Sequence, residues 1–319
     1  MFLRSRMFLE NYCIVCVLNQ IIRLCDFSGI DGEQKDRVFK EALKKAGGID
    51  YEQMTSPQFA EKLYDVFTEV TGEKDPYKKL RKEQNDMVLD KLDFFREKIS
   101  SAADPLYCAA IYALAGNIID YGTDRLFDPD EIFCRFENIE LAVNDYEEFK
   151  KRLQKGKKLL ILGDNAGEAV FDRLFIEEIR TFNPAVEIFY GVRSKPAIND
   201  ILKEDAEYIG LDKVAFVLET GSTFAGTVIS KSTEEFQKIY HSADIIISKG
   251  QGNFETLEGA DEDILFVFKV KCAVVARHMN LPLGSLLFAF NRGFLKNHAF
   301  GGIRVNALRS SAVSAHPAS

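Results

Sequence analysis

An aspartate and an asparagine stand side by side at the end of a short apolar run in this chain of 319 residues. The run covers residues 159–162, and Asp164 and Asn165 follow it after one glycine. A helical pattern begins directly afterwards, at 169–180. In α/β proteins ligands bind at such strand-to-helix turns, outside the carboxyl ends of the strands. Carboxylate and amide oxygens suit magnesium or manganese, so the pattern indicates a cation site at the mouth of a parallel sheet.

The alternative interpretation of this pair is a helix cap, because Asp or Asn before a helix accepts hydrogen bonds from backbone N–H groups. One residue is enough to cap a helix, so the second of the pair lacks a structural reason. Gly167 then permits a ligand to approach the backbone closely. The N–H groups at the start of a helix favour an anion there.

A second carboxylate follows the next predicted strand. The strand at 186–192 leads into the segment 193–200, which ends in Asp200. Because parallel strands end at the same edge of a sheet, Asp200 can reach the same cation as Asp164. A lone Asp at a helix start is usually a cap or a solvated charge. Only its position after a neighbouring strand favours the functional interpretation.

A lysine and two glycines follow a third predicted strand, at 245–247. Lys249 can neutralise a phosphate, and Gly250 and Gly252 let backbone N–H groups face an anion. A glycine-rich loop alone is more often a turn than a phosphate site. The stretch 220–227 adds hydroxyl donors after a fourth predicted strand. Polar groups at four strand ends along one edge predict one active site rather than four separate caps.

The elements that must position these residues are those of a parallel sheet. The predicted strands lie at 159–162, 186–192, 214–218, 245–247 and 264–268. Apolar strands joined by helices predict an α/β, Rossmann-like fold, with a sheet covered on both faces. Before this region the apolar residues have the three- and four-residue spacing of helices. We expect a helical domain at 1–144, a sheet domain at 145–285 and a divergent tail at 286–319 that is loosely ordered near its end.

Composition excludes several classes of function. The net charge of −8 argues against a general nucleic-acid binder, which needs surplus Lys and Arg to neutralise phosphates. A small phosphorylated substrate remains compatible, because a bound cation supplies positive charge locally. No apolar run approaches the ~18 residues of a membrane-spanning helix. The six cysteines are scattered and no secretion signal is evident, so we expect a cytoplasmic protein with reduced thiols. The sequence leaves the oligomeric state open.

Two pairs of residues are weaker candidates. Cys13 and Cys16 could form half of a zinc site, but a structural zinc needs four ligands and no histidine is near. Thiols buried along a helix are the simpler interpretation. Asn117 and Asp120 are three residues apart, on one helix face, at the end of an almost wholly apolar segment. They would either point into a cleft between the domains or form a hydrogen-bond network at the helix end.

Several of these blocks resemble the signatures of the metal-dependent damage-control phosphatases, in particular their prokaryotic stand-alone branch. In chain order the matching blocks are Cys13-x-x-Cys16, Asp75-Pro76-Tyr77, residues 116–120, residues 163–168 with Phe171-Asp172, residues 195–200, residues 248–255 and Lys271-Cys272. The similarity extends from about Cys13 to Gly284. Residues after Gly284 depart from the family pattern.

The resemblance implies a helical domain followed by a Rossmann-like domain, and hydrolysis of small phosphomonoesters such as sugar phosphates or damaged phosphometabolites. It also implies one divalent cation (Mn, Mg, Co or Ni) held by Asp164, Asn165 and Asp200. Phosphate oxygens would be held by Lys249 and by N–H groups of the loop 250–253 and the helix start at Gly167, because positioned charges supply most of the stabilisation in phosphoryl transfer. Either a water or a carboxylate would be the nucleophile.

Further substrate contacts would come from residues around the same loops. Glu168 and Asn199 would orient water or sugar hydroxyls, Asn253 would contact the substrate, and Asn117 with Asp120 would close the cleft. Two other functions remain open at this point. One is an S-adenosylmethionine-dependent carboxyl methyltransferase, although the first strand ends in Asp-Asn rather than a glycine-rich turn. The other is a non-catalytic module that binds a metal or a sugar phosphate and releases no phosphate.

Overall fold

The described part of the chain begins with six helices. The computed structural model describes residues 7–50, 52–116 and 139–292. The helices before the sheet are Asn11–Phe27, Gly32–Gly47, Ser56–Thr71, Lys78–Leu89, Leu92–Ser100 and Pro105–Ala115. Proline lies in the first turn of Ser56–Thr71 and Pro105–Ala115, where a helix does not need its N–H group. Among the described residues, neither these helices nor the later ones include one that is long and apolar enough to cross a bilayer.

Seven strands form one sheet. They are β1 (Val143–Asn144), β2 (Lys158–Leu162), β3 (Glu187–Val192), β4 (Phe216–Glu219), β5 (Ile245–Lys249), β6 (Ile264–Lys269) and β7 (Leu286–Phe290). Their order across the sheet is β1-β7-β6-β5-β2-β3-β4. The strands from β6 to β4 are parallel, whereas β7 is antiparallel to β6 and parallel to β1. The predicted Rossmann-like α/β fold is confirmed, and the five strands predicted from the sequence are the parallel ones.

The sheet extends beyond both ends of the predicted range 145–285. Val143 pairs with Leu287, so β1 and β7 are neighbours at one edge. This corrects the predicted start of the tail, because residues 286–290 belong to the sheet. The strand is hidden in the sequence because both of its faces are buried: Phe288 lies in the core on one side and Leu287 in the core on the other. Such a strand reads as a continuous apolar run without alternation.

Helices cover both faces of the sheet. Along β2, Leu159 and Ile161 point into one core and Leu160 and Leu162 into the other, as the two-residue period of a strand requires. The helices that contribute to the first core are Lys78–Leu89, Leu92–Ser100, Pro105–Ala115, Tyr146–Leu153, Glu168–Phe182 and Lys203–Tyr208. Those that contribute to the second core are Glu234–Ser242, Gln251–Leu257 and Ala273–Met279.

The helices of the first part belong to two different cores. The first three pack against each other through residues such as Val17, Leu63 and Phe67. The next three share the core of the sheet, to which they contribute Val88 and Phe95 among others. The predicted domain boundary at residue 144 stays a prediction, but part of the helical region is continuous with the sheet.

A buried arginine ties the helix Lys78–Leu89 to the sheet region. Arg81 is fully buried, and its Nε donates to Asp205 Oδ2 at 2.7 Å. Its two terminal nitrogens donate to the Asp75 carboxylate at 2.6 and 2.8 Å. Buried charges of this kind need well-placed partners. The contacts therefore fix this helix beside Lys203–Tyr208, which follows the loop that carries Asp200.

Candidate active site at the strand ends

The loops after β2 and β3 lie against each other and bring three predicted ligands together. The N–H of Ile201 donates to the carbonyl of Asp164 at 2.8 Å, and Asn165 and Asp200 form an isolated antiparallel bridge. Ile198 has a φ of 53°, a left-handed conformation that is rare for a β-branched residue. This turn returns the chain toward the loop after β2. Asp164, Asn165 and Asp200 therefore share one site, as the sequence predicted.

Among the described residues, four buried carboxylates and two buried cations meet in this region. They belong to Asp164, Glu168, Asp172 and Asp200, and to Arg193 and Lys249, and none of the six residues is more than 7% exposed. With every group ionised, four negative and two positive charges leave a net charge of −2. Uncompensated buried charge is costly, and a divalent cation would neutralise it. The charges of the buried residues therefore fit a divalent metal ion.

The excess of negative charge changes how the carboxylates titrate. Burial, reinforced by the charges of Asp200 and Glu168, raises the pKa of Asp164 to about 7. Burial also raises the pKa of Asp172 to about 6, against the opposing charge of Lys249. The pKa of Asp200 is raised by burial in spite of the nearby Arg193 guanidinium. In each case burial is the largest cause.

The available oxygens match a hard cation. Asn165 Nδ2 donates to Asp164 Oδ2 at 2.6 Å and to Glu168 Oε2 at 3.3 Å. The other end of the amide, Oδ1, receives no hydrogen bond from a described residue. Within the described ranges, no three side chains of His, Cys, Asp or Glu are grouped to hold a metal ion. Asn165 Oδ1 is therefore available to a cation beside the carboxylates of Asp164 and Asp200, and magnesium commonly completes such a set with waters.

Arg193 holds the Asp200 carboxylate in place. Its Nε donates to Asp200 Oδ2 at 2.7 Å. Its Nη1 donates at 2.9 Å to both the Gly226 carbonyl and Thr227 Oγ1, and its Nη2 donates to Asn253 Oδ1 at 3.1 Å. Arg193 was not predicted as a site residue from the sequence. The one indication was its position directly after the apolar strand β3, where a buried charge requires a partner.

Asn253 connects three loops rather than facing a ligand. Its Nδ2 donates to the carbonyls of Gly163 and Lys249 at 3.1 and 2.8 Å. Its Oδ1 accepts from Arg193 and, at 2.9 Å, from Thr227 Oγ1. An Asn side chain has two donor hydrogens and two acceptor lone pairs, so these bonds use its full capacity. This corrects the expectation that Asn253 binds substrate.

Lys249 is enclosed by acceptors. Its Nζ lies 2.7 Å from Glu168 Oε1 and 2.5 Å from Asp172 Oδ1, and it donates to the Ala113 carbonyl at 2.8 Å. Burial lowers the pKa of this ammonium, but the two carboxylates outweigh burial and raise the pKa above its usual value. Lys249 thus serves as the counter-charge of Glu168 and Asp172. Its predicted contact with phosphate stays a prediction.

Glu168 faces the protein interior. It is fully buried, and its two oxygens contact Lys249 and the Asn165 amide. It therefore orients Asn165, and its predicted contact with water or a sugar hydroxyl stays a prediction.

The two glycines after β5 are required by close packing. A Cβ on Gly250 would lie 2.1 Å from Asp164 Cγ, and its φ of 78° also favours glycine. A Cβ on Gly252 would lie 2.0 Å from the Ala225 carbonyl oxygen. The Gly250 N–H already donates to the Val267 carbonyl at 3.2 Å. The expectation that this N–H is free to face an anion is therefore corrected.

The helix Lys78–Leu89 reaches both ligand-bearing loops. The Gly167 N–H donates to Asn85 Oδ1 at 2.7 Å, contrary to the expectation that it is free for an anion. Asn199 Nδ2 donates to Gln84 Oε1 at 3.1 Å, so its predicted substrate contact stays a prediction. Gln84 and Asn85 were not predicted as site residues from the sequence. Their helical spacing from Val88, which is buried, was the one indication that they face the interior.

Lys271 is a further cation that the sequence analysis left without a role. Its positive charge lowers the pKa of both Asp164 and Asp200, against the larger effect of burial. The residue is exposed, and its N–H donates to Gln251 Oε1 at 2.7 Å. Unlike Lys249, it is accessible to solvent, and its charge acts on both predicted carboxylate ligands.

Two pairs of candidate residues remain. Asn117 and Asp120 fall outside the described ranges, so their predicted role stays a prediction. Cys13 and Cys16 line a cavity of about 400 Å³ together with Cys272 and Glu255. Cys16 is exposed and Cys13 is partly buried, which corrects the expectation of two buried thiols.

Comparison with known proteins identifies the family. Residues 9–287 match the model of a family described as the damage-control phosphatase ARMT1-like domain. The chain belongs to this family. It is a damage-control phosphatase, an enzyme that hydrolyses phosphoesters, as the sequence resemblance predicted. The methyltransferase alternative is not favoured.

Relatives of this phosphatase carry the same description over nearly their full length. It is 31% identical over 287 residues to damage-control phosphatase PH1575 of Pyrococcus horikoshii. This alignment covers 88% of this chain and 97% of the relative. It is 29% identical over 281 residues to a damage-control phosphatase of Archaeoglobus fulgidus, covering 86% and 96%. The crystal structure of a DUF89 family protein (PH1575) from Pyrococcus horikoshii superposes with a TM-score of 0.82 and 27% identity, over 90% of this chain and 100% of that one.

The packing of Gly250 yields a test of the site geometry. We expect Gly250→Ala to reduce phosphatase activity on the order of a hundredfold, because the new methyl group would displace the Asp164 carboxylate by about an ångström or more. Activity would be measured with p-nitrophenyl phosphate. Gly284→Ala is the matched control, because Gly284 also has a positive φ of 89° but nothing lies within 4 Å of its Cβ position. Equal losses in both variants would attribute the effect to backbone strain and contradict this packing argument.

Proposed function

We propose that this phosphatase hydrolyses small phosphomonoesters, either sugar phosphates or damaged phosphometabolites, and that it uses one divalent cation, Mn, Mg, Co or Ni. Asp164, Asn165 and Asp200 would hold the cation. The observation that supports this most strongly is the net charge of −2 among six buried residues at the strand ends. When bound, a divalent cation would act as a Lewis acid on a phosphate oxygen.

The chain's own residues would prepare the ligands for this role. Arg193 fixes one oxygen of Asp200, and Lys249 fixes Glu168. Glu168 and Asp164 together hold the amide nitrogen of Asn165, so the amide oxygen points away from them. Partners of this kind commonly govern the affinity and reactivity of a metal site.

The phosphate itself needs positive charge beyond the cation. Lys271 would supply it, because it is exposed and acts electrostatically on both Asp164 and Asp200. In phosphoryl transfer, such positioned charges supply most of the catalysis. Both a water and a carboxylate nucleophile remain compatible with this arrangement. The cytoplasmic location expected from the sequence stays a prediction.

Phosphate release that depends on a cation is the direct test of the proposed function. The chelator-stripped protein would be assayed with each divalent cation restored separately, over a panel of sugar phosphates and p-nitrophenyl phosphate. We expect release only with a cation, and none from Asp164→Ala, because that variant loses one of three protein ligands. The stripped protein and Asp164→Ala would be checked for an intact fold by circular dichroism. Undiminished release from the folded Asp164→Ala protein would refute the assignment, and binding without release would indicate a non-catalytic module.

The assignment of Lys271 is tested separately. We expect Lys271→Gln to raise KM for p-nitrophenyl phosphate by about tenfold or more, because a hydrogen bond to a charged group contributes roughly 1.5–3 kcal/mol. Stability should not change, since the side chain is exposed. Lys269→Gln, two residues earlier at the end of β6, is the matched control for loss of one positive charge. The assignment is wrong if both variants raise KM equally, or if neither does.

A further inference from the structure

Asn85 is a buried amide that comes from outside the sheet. It lies in the helix Lys78–Leu89 and is fully buried. Its neighbours on the same helix face include Arg81, which is anchored to Asp75 and Asp205. The position of Asn85 is therefore set by a rigid element.

The orientation of the Asn85 amide is fixed by one contact. Its Oδ1 accepts the Gly167 N–H at 2.7 Å, and only the oxygen end of an amide can accept from N–H. Its Nδ2 is buried and has no hydrogen-bond partner among the described residues. A buried donor without an acceptor is costly, and such groups in native structures call for an explanation.

The location of this donor suggests the explanation. It lies at the start of the helix Glu168–Phe182, where the sequence predicted that backbone N–H groups would bind an anion. Three of those N–H groups are already used: Gly167 donates to Asn85, Ala169 to the Asn165 carbonyl and Val170 to the Gly167 carbonyl. Asn85 Oδ1 accepts the hydrogen bond from the Gly167 N–H, and the Nδ2 hydrogens of the same amide are left to donate to another group. Gly167 is also only two residues from Asn165, a proposed cation ligand.

We propose that Asn85 is a substrate-binding residue whose Nδ2 donates a hydrogen bond to a phosphate oxygen. This inference rests on the proposed function, because it places the phosphate next to the cation held by Asp164, Asn165 and Asp200. An uncharged donor suits this position, since it binds an anion without adding a charge that competes with the cation. The oxygen of the same amide meanwhile keeps the ligand-bearing loop in place.

Two variants separate binding of phosphate from support of the loop. Asn85→Asp keeps an oxygen acceptor for the Gly167 N–H but has no amide hydrogens. Asn85→Ala removes both functions without adding charge. Binding of inorganic phosphate to the manganese-loaded protein would be measured by calorimetry and as competitive inhibition of p-nitrophenyl phosphate hydrolysis. Manganese affinity would be measured without phosphate. Asp86→Asn, at the adjacent and more exposed position, is the control.

We expect both Asn85 variants to weaken phosphate binding by about tenfold or more, as the loss of a hydrogen bond to a charged group would. Asn85→Asp should retain manganese affinity, and Asp86→Asn should bind phosphate as the wild type does. A purely structural role predicts instead that Asn85→Asp binds phosphate normally. A pure charge effect predicts normal binding by Asn85→Ala. Either result would overturn the proposal, and Asn85→Leu, which also has no donor and no charge, would replace Asn85→Ala if that variant does not fold.

The same experiment separates this inference from the proposed function. If the manganese-loaded wild type neither binds nor releases phosphate, the proposed function fails. If the wild type does both and the Asn85 variants bind phosphate normally, only the role of Asn85 is wrong.

Discussion

The structure of the site depends on an excess of negative charge buried at one edge of the sheet. The charged side chains are linked by direct contacts. Tyr190 donates a hydrogen bond to Asp172, and Lys249 contacts both Asp172 and Glu168. The Asn165 amide in turn donates to both Glu168 and Asp164. Arg193 forms an ion pair with Asp200. Because buried charge must be compensated, the two protein cations leave a demand that a divalent ion would meet. The proposed metal site and the network that supports it are thus parts of one charge balance.

Close packing fixes the positions of these charged side chains. Asp164 lies directly against Gly250, and Gly163 lies directly against the Tyr190 ring, so neither glycine leaves room for a side chain. Asn253, in the helix that follows β5, joins the end of β5 to the loops after β2, β3 and β4 through its four hydrogen bonds. The helix Lys78–Leu89 adds Gln84 and Asn85 from the other side. The ligands are therefore held by contacts between segments that are distant in sequence.

That distance explains what the sequence could and could not predict. Asp164 and Asp200 could be predicted because each follows a strand that is apolar enough to recognise, and parallel strands end together. The direction in which Lys249 points could not, because it depends on which face of β5 meets the helix that contains Asp172. Gly252 was identified as a glycine with a role, but its actual neighbour, Ala225, follows a different strand. Asn85 and Arg193 required knowledge of long-range partners that a single sequence does not contain.

The most direct test of the charge balance is the stability of the chelator-stripped protein and two isosteric variants. Thermal unfolding would be followed for wild type, Asp164→Asn and Asp200→Asn, with and without manganese. We predict that Asp164→Asn is more stable than wild type without metal, because burial and the charges of Asp200 and Glu168 disfavour the ionised Asp164 carboxylate. Asp200→Asn should be less stable, because it leaves the buried Arg193 without its carboxylate. Manganese should raise the midpoint of the wild type far more than that of Asp164→Asn. A metal-free Asp164→Asn protein that is less stable than wild type and responds equally to manganese would contradict the account.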